Sequence, residues 1–197
     1  MKPPTLLFTL LLGLSLSGCG ALSAQNPSGS YTPVNAVATS DQKHLLLQGA
    51  DVVAYFTEGQ YLPGDPSRVS RHEGVTLFFA SVEHQAAFER EPTRYLPQFG
   101  GYCANGIAYG IPWGGDADTW KIVDGKLYIF GGQGSKDAFE LDEKGNLALA
   151  NRYWNDEIVD NNSFIQRVKR LVWRVPHYQS GEALAKAVAE NKAKAAQ

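Results

Sequence analysis

Residues 120–130 have the sequence WKIVDGKLYIF, in which the pair Asp124-Gly125 separates two runs of β-branched, aromatic and aliphatic residues. Asp-Gly is a strong hairpin signal in this setting, because its residues tolerate the positive φ angles of a tight two-residue turn. The pair Glu73-Gly74 lies in the same way between runs that begin at Arg68 and end at Phe79. The sequence therefore predicts two antiparallel hairpins.

Helix signals lie between the two predicted hairpins. Ser81 is a helix-capping residue type and predicts a helix over 82–90. Pro92 favours a second helical turn that continues to Tyr95, and Pro97 is expected to stop it. These short helices follow directly on the first hairpin and are expected to pack against it.

Three further segments complete the predicted elements. The run Asp51–Phe56 predicts a strand that ends at Thr57-Glu58-Gly59. A helix is expected over about 147–156, and Ser163 is expected to cap another. The apolar residues of that last helix share one face at helical spacing: Phe164, Val168, Leu171 and Val172. Residues 180–197 predict a weakly amphipathic, frayed helix.

Together these signals predict an α+β fold, a small domain of antiparallel β-hairpins packed with short helices. We expect a signal peptide over residues 1–18, a flexible tether over 19–43 and the domain over 44–158. A C-terminal helical extension follows over 159–197. Residues 131–148 are expected to form an insertion in the domain.

The composition limits the function classes. The chain has 197 residues, of which 44% are hydrophobic, so it can build a packed core and is not globally disordered. Its formal net charge of -2 does not fit a basic nucleic-acid-binding surface, and we expect no nucleic-acid partner. Two cysteines exclude a disulfide scaffold.

The N-terminus has the features of an export signal. Lys2 supplies a positive charge, and the apolar run Leu6–Leu16 is too short to span a bilayer but suits a secretory signal. The small residues before Cys19 resemble a bacterial lipobox, in which the peptidase cuts before the cysteine and that residue is acylated. The alternative is an ordinary signal peptide cut near Ala21 or Ala24.

Lipidation of Cys19 would anchor the chain to a membrane, because several acyl chains give stable attachment. Gly20 follows the cysteine, and by the sorting rule for lipoproteins this implies the outer membrane. The predicted location is therefore the cell envelope, facing the periplasm. Cys103 would be left as the one free thiol of the mature chain.

Several segments over residues 45–158 resemble exported YHS-domain proteins. The matching segments are Gly49–Gly59, Leu77–Ser81, Glu91–Tyr95, Pro97–Ala104, Trp120–Tyr128 and the residue Trp154. The wider group is related to small treble-clef-like metal-binding modules that carry paired cysteines. The resemblance therefore implies a small α+β domain with a possible link to copper or another soft metal.

This chain lacks the paired cysteines of those modules. Where that group has its cysteine pair, the sequence has Ala80 and His84, and Asp51 lies where the first cysteines are expected. A site with four thiolate ligands is therefore excluded. A thiolate with an imidazole can still hold Cu(I), so Cys103, His84 and Asp51 are the candidate metal ligands. His84 as a surface residue and Asp51 as an acceptor for backbone amides are the alternatives.

Cys103 is the main candidate site residue. It follows Gly100-Gly101, a backbone-permissive segment of the kind found where a chain meets a ligand. The thiol is expected to bind a soft metal, to act in redox chemistry or to be a small buried hydrophobe. Tyr102, Tyr109 and Trp113 are the candidate ligand-binding aromatics, with core packing as their alternative.

The sequence carries no serine-hydrolase elbow, zinc-protease helix, Walker loop or dinucleotide-binding pattern. The run Gly131–Gly134 is expected not to open a helix with Lys and Ser/Thr, which argues against a phosphate cradle. We therefore expect a non-enzymatic module, centred on Cys103, that binds a copper-like metal or a small ligand. A thiol-based redox protein, or an interaction protein that docks a partner through the C-terminal helices, is the alternative.

Overall fold

The computed structural model describes residues 36–37, 44–159 and 161–197. Strands in these ranges are β1 (Ala36–Val37), β2 (Leu45–Leu46), β3 (Asp65–His72), β4 (Val75–Phe79), β5 (Asp116–Val123) and β6 (Lys126–Phe130). Helices are α1 (Ala54–Thr57), α2 (Val82–Arg90), α3 (Pro92–Tyr95), α4 (Ala104–Ala108), α5 (Gln133–Glu140), α6 (Glu143–Tyr153), α7 (Ser163–Val172) and α8 (Gly181–Ala195). The architecture is mixed α+β with two small sheets, as predicted.

The predicted signal peptide and Cys19 lie outside the described residues, as does most of the predicted tether. Ala36–Val37 falls within that tether and pairs antiparallel with β2 as strand β1. In the described ranges, no helix combines the length and the apolar composition needed to cross a bilayer.

Both predicted hairpins are present. The first sheet has the order β1-β2-β4-β3, with β2 parallel and β3 antiparallel to β4. Its hairpin turns at Glu73 and Gly74, whose φ angles are 47° and 83°. Strands β5 and β6 form the second sheet and turn at Asp124 and Gly125, with φ angles of 50° and 71°. Paired positive φ angles of this kind are what a two-residue hairpin turn requires.

The helices after the first hairpin also begin where the sequence predicts. The Ser81 side chain accepts a hydrogen bond from the His84 backbone N–H at 3.0 Å and caps α2. Pro92 occupies the first position of α3, where its missing N–H costs nothing. These two helices therefore have local causes that the sequence contains.

The predicted strand over Asp51–Phe56 is wrong. The segment instead begins with a turn and continues as α1, because Asp51 Oδ1 accepts hydrogen bonds from the Val53 and Ala54 backbone amides at 2.9 and 3.3 Å. Val52 and Val53 are completely buried. A short, fully buried apolar run has the same composition in either conformation, so its pattern does not distinguish strand from helix.

The segment 131–148 is part of the core and not an excursion from it. It forms α5 and the start of α6, and a π-helical turn over Trp154–Ile158 follows. Phe139 of α5 and Tyr153 of α6 pack with Phe130 in one buried cluster. The expectation that no helix follows Gly131–Gly134 is also wrong, since α5 starts at Gln133 with its N-cap at Gly132.

The buried side chains form two clusters. The first joins the four-stranded sheet to α1 and α2, and includes Val52, Phe79, Phe88 and Ile129. The second joins α4, α5 and α6 to β6, and includes Tyr102, Ile107, Phe130, Phe139 and Tyr153. Strand β6 contributes to both clusters and therefore connects the two halves of the fold.

The C-terminal extension packs on the second half of the fold. Helix α7 is capped by Asn162 and not by Ser163, since Asn162 Oδ1 accepts from the Phe164 and Ile165 amides at 3.0 and 3.2 Å. Helix α8 lies against α5 and forms an ion pair between Lys192 and Asp137 at 2.5 Å. The continuous helix differs from the frayed one that the sequence predicts.

Candidate functional site

A pocket of about 350 Å³ opens beside Cys103. Its wall combines α4, the segment that leads into α5, and the C-terminal extension. The lining residues that carry its chemistry are Cys103, Tyr109, Trp113, Ser135, Arg170 and Arg174. The pocket therefore joins the segment that the sequence singled out to a part of the chain outside the predicted domain.

Cys103 is held firmly at the base of this pocket. Its backbone N–H donates to the Trp113 carbonyl at 3.0 Å, and the residue forms a parallel bridge with Ile129. Its Sγ accepts a hydrogen bond from the Gly106 N–H at 3.4 Å and lies 3.1 Å from Ser135 Oγ. The residue is 4% exposed, so a ligand reaches the sulfur only through the pocket.

The glycines before Cys103 adopt the positive φ angles that a backbone-permissive segment allows. Gly100 and Gly101 have φ angles of 61° and 80°, which a side chain would strain. This backbone turn brings Cys103 alongside β6, opposite the start of α5. The permissive segment therefore positions the thiol.

Two arginines of the C-terminal extension line the pocket. Arg170 pairs with Glu157, and its Nη1 donates to the Trp173 carbonyl at 3.1 Å. Its Nε is buried and has no hydrogen-bond partner among the described residues. Arg174 lies over the Tyr178 ring, 4.2 Å from its centroid. The Arg170 Nε lies against Gly110, since a Cβ built on Gly110 would be 2.9 Å from it.

Glu157 balances part of this charge from behind Arg170. Burial alone would raise the pKa of Glu157, but hydrogen bonds from Lys169, Gln166 and Arg170 outweigh it and lower the pKa below its usual value. The carboxylate therefore stays ionised and holds the Arg170 guanidinium in place.

Asp51 and His84 contact each other, but in the described part of the chain neither shares a hydrogen-bond partner with Cys103. Asp51 Oδ2 accepts from His84 Nδ1 at 2.6 Å and from the Ala80 backbone N–H at 2.7 Å, far along the chain from the partners of Cys103. Asp51 is completely buried, so its carboxylate serves the backbone-acceptor role that the sequence analysis kept open. The other His84 nitrogen lies 3.2 Å from Thr57 Oγ1. In the ranges that the structure covers, no three His, Cys, Asp or Glu side chains are grouped to hold a metal.

The three candidate aromatics are divided between pocket and core. Tyr109 and Trp113 line the pocket, and Trp113 is 45% exposed. Burial, and then the neighbouring Tyr178, raise the pKa of the Tyr109 hydroxyl. Tyr102 is completely buried in the second hydrophobic cluster, so its side chain belongs to the core.

Sequence reasoning missed most of the pocket lining beyond Ala104. The chemically important residues among those missed are Ser135, Arg170 and Arg174. A usable signal was present, because residues 161–181 contain four basic and no acidic side chains in a chain of net charge -2. Their position beside Cys103 is nevertheless a tertiary result.

Comparisons with known proteins identify no relative. No protein-family model matches the chain. No curated protein matches it. No solved structure matches it.

Proposed function

We propose that this protein binds a small anionic ligand in the Cys103 pocket without acting on it as an enzyme. The observation that carries the proposal is that Arg170 and Arg174 of the C-terminal extension both line the pocket that opens beside Cys103. Carboxylates and phosphates supply the acceptor oxygens that a guanidinium binds best. The ligand's acidic group would therefore lie against the C-terminal extension.

The remaining lining suits an apolar body on the same ligand. Tyr109 and Trp113 offer aromatic faces, and Leu171 and Leu184 add aliphatic surface. The volume of about 350 Å³ lies in the range of pockets that hold small molecules. We therefore propose a ligand with one acidic group and a small apolar body.

Cu(I) binding at Cys103 is the competing proposal that the sequence resemblance supports. The thiol faces the same pocket, but the Arg174 guanidinium there would repel a cation. A redox role for the thiol is the other competing proposal, and the Gly106 N–H donating to Sγ favours it. Each of these two competing proposals predicts a different experimental outcome from the anionic-ligand proposal.

We also propose that the chain is a lipid-anchored cell-envelope protein of the YHS type. The lipobox-like residues before Cys19 and the YHS-like segments support this proposal. Its test is the mass of the N-terminal peptide after expression in a bacterial host, with Cys19→Ala as control. An acylated peptide beginning at Cys19 is expected, and cleavage near Ala21 or Ala24 would contradict it.

The pocket proposal is tested by protection of Cys103 from alkylation in the full chain. Iodoacetamide labelling is followed by mass mapping of the Cys103 peptide, so that Cys19 does not interfere. The probes are benzoate, phenyl phosphate and the neutral analogue benzamide. We expect the two anions to slow labelling and benzamide to have little effect. Arg174→Gln should remove most of the protection, whereas Gly134→Ala, outside this pocket, should keep it.

Three results would overturn this proposal. Equal protection by benzamide would remove the anionic requirement. Stoichiometric Cu(I) binding that is lost in Cys103→Ser would favour the metal-binding proposal. Labelling only after unfolding would mean that Cys103 is a buried core residue.

A further inference from the structure

Helix α7 buries polar side chains and exposes apolar ones, which reverses the arrangement in the rest of the fold. Its buried residues are Ser163, Gln166 and Arg167. Its apolar residues are exposed, with exposed fractions of 58% for Phe164, 65% for Ile165, 45% for Val168, 62% for Leu171 and 65% for Val172. We call this set, together with the 66% exposed Trp173, the α7 apolar face. An amphipathic helix normally buries such a stripe.

Specific polar contacts hold α7 in this orientation. Gln166 Nε2 donates to the Gly110 carbonyl at 3.0 Å, and Arg167 Nη1 donates to the Pro112 carbonyl at 3.2 Å. Arg170 pairs with Glu157 from the preceding π-helical turn. Rotating the helix to bury its apolar face would break these bonds and leave buried polar groups unpaired. The outward orientation is therefore built into the fold.

Basic residues accompany the α7 apolar face, and Glu157 pairs with two of them, Lys169 and Arg170. Residues 161–181 carry Arg167, Lys169, Arg170 and Arg174 and no acidic residue. Lys169 and Arg174 are exposed. Exposed leucine, phenylalanine and tryptophan beside basic residues are typical of a helix that lies in a membrane interface. Anionic headgroups complement the charge of the exposed Arg174.

We propose that α7 docks on a membrane surface containing anionic lipids, with its apolar face at the boundary between headgroups and acyl chains. A ten-residue helix is about 15 Å long, so α7 would lie in the membrane plane. The segment before the domain also supports a membrane as the partner of α7, because Cys19 is the predicted lipid anchor. The chain from Cys19 to Ala36, where β1 begins, reaches at most about 60 Å, which keeps α7 within reach of the same membrane.

Docking in this way would place the Cys103 pocket beside the bilayer. Leu171 belongs both to the α7 apolar face and to the pocket lining. A pocket mouth at the interface would admit an anionic ligand from the membrane side. This consequence rests on the proposed function, whereas the docking proposal stands on α7 alone.

The test uses the full chain reconstituted with vesicles of phosphatidylglycerol and phosphatidylcholine that carry brominated acyl chains. Bromine quenches tryptophan that reaches the acyl region, so we expect quenching that is largely lost in Trp173→Phe. The double variant Val168→Glu with Leu171→Glu should lose it as well. Any insertion by the N-terminal apolar segment is common to all variants and does not affect the comparison.

A matched control separates docking from general surface polarity. Val82 on α2 is 61% exposed, so Val82→Glu makes the same change at another exposed apolar site and should leave quenching intact. Replacing Arg174 with Gln should weaken association with the anionic vesicles by about fivefold at low salt. Circular dichroism of each variant verifies folding.

The proposal fails if Trp173 is not quenched while the wild-type chain is bound to the vesicles. It also fails if sedimentation shows a dimer that Leu171→Glu dissociates, because a second copy would then cover the α7 apolar face. Protection of Cys103 by anionic probes is measured without vesicles. Failure of the membrane-docking proposal is therefore distinguishable from failure of the proposed ligand-binding function.

Discussion

His84 Nδ1 lies 2.6 Å from Asp51 Oδ2, and the two side chains join α1 to α2. The same carboxylate accepts from the backbone amides of Val53, Ala54 and Ala80 at 2.9, 3.3 and 2.7 Å. Asp51 is completely buried, so all of these donors lose their partner if the carboxylate is removed. The pair has the chemistry of a structural junction between the first sheet and its helices.

Asp51→Ala is expected to lower the free energy of unfolding by about 3 kcal/mol, because it leaves several buried N–H groups without an acceptor. His84→Gln should cost less, about 1 kcal/mol, since the backbone donors to Asp51 remain. Urea denaturation measures both changes. An equal loss of unfolding free energy in the two variants would contradict the role of Asp51 as the central acceptor of this junction. A fall in Tm when a chelator is added would instead indicate a metal at this pair.

Stability should depend on Glu157 at acid pH. Burial acts to raise the pKa of this carboxyl, but hydrogen bonds from Lys169, Gln166 and Arg170 lower it overall from the usual 4.5. A lowered folded-state pKa means that the stabilisation is complete above about pH 4.5 and is lost as the pH falls through the folded-state value. Glu157→Gln should therefore destabilise the protein at neutral pH and flatten its acid dependence. A parallel pH profile in wild type and variant would refute this role.

Access to Cys103 should depend on the space beside Gly131. A Cβ built at Gly131 would lie 3.6 Å from Cys103 Sγ and 3.2 Å from the Gly114 carbonyl. Gly131→Ala is therefore expected to slow iodoacetamide labelling of Cys103 several-fold. Gly134→Ala is the matched control, because its Cβ would meet nothing within 4 Å. Labelling that is unchanged in Gly131→Ala would mean that the reagent reaches the sulfur by another route.

Helix α8 should detach without unfolding the rest of the protein. No residue of α8 is fully buried, and Leu184 and Val188 face Ala138 of α5 across a groove. Val188→Asp is expected to accelerate amide hydrogen exchange in α8 while Tm changes little. Ala189→Asp, at an exposed position, should leave exchange in α8 near its original rate. A large drop in Tm for Val188→Asp would show that α8 is part of the cooperative core.

The elements that could be predicted from sequence have causes within a few residues. Asp124-Gly125 forms its turn from its own backbone preferences, and Ser81 caps α2 through a hydrogen bond to His84 N–H three residues later. The segment 51–56 was predicted wrongly because its conformation depends on a carboxylate that also binds Ala80 from another part of the chain. The sequence does not reveal the start of α5, because its glycines weaken every local helix signal. The helix forms nevertheless, since Phe139 packs in the second buried cluster.

By itself, the amino-acid sequence determined the α+β class, the two hairpins, the capped helix α2 and the permissive backbone at Gly100 and Gly101. Those features follow from backbone preferences and short-range hydrogen bonds. Only the tertiary structure decided that Arg170 and Arg174 stand beside Cys103 and that α7 turns its apolar face outward. The helical spacing of α7 shows that it has an apolar face, but hydrogen bonds to Gly110 and Pro112 decide where that face points.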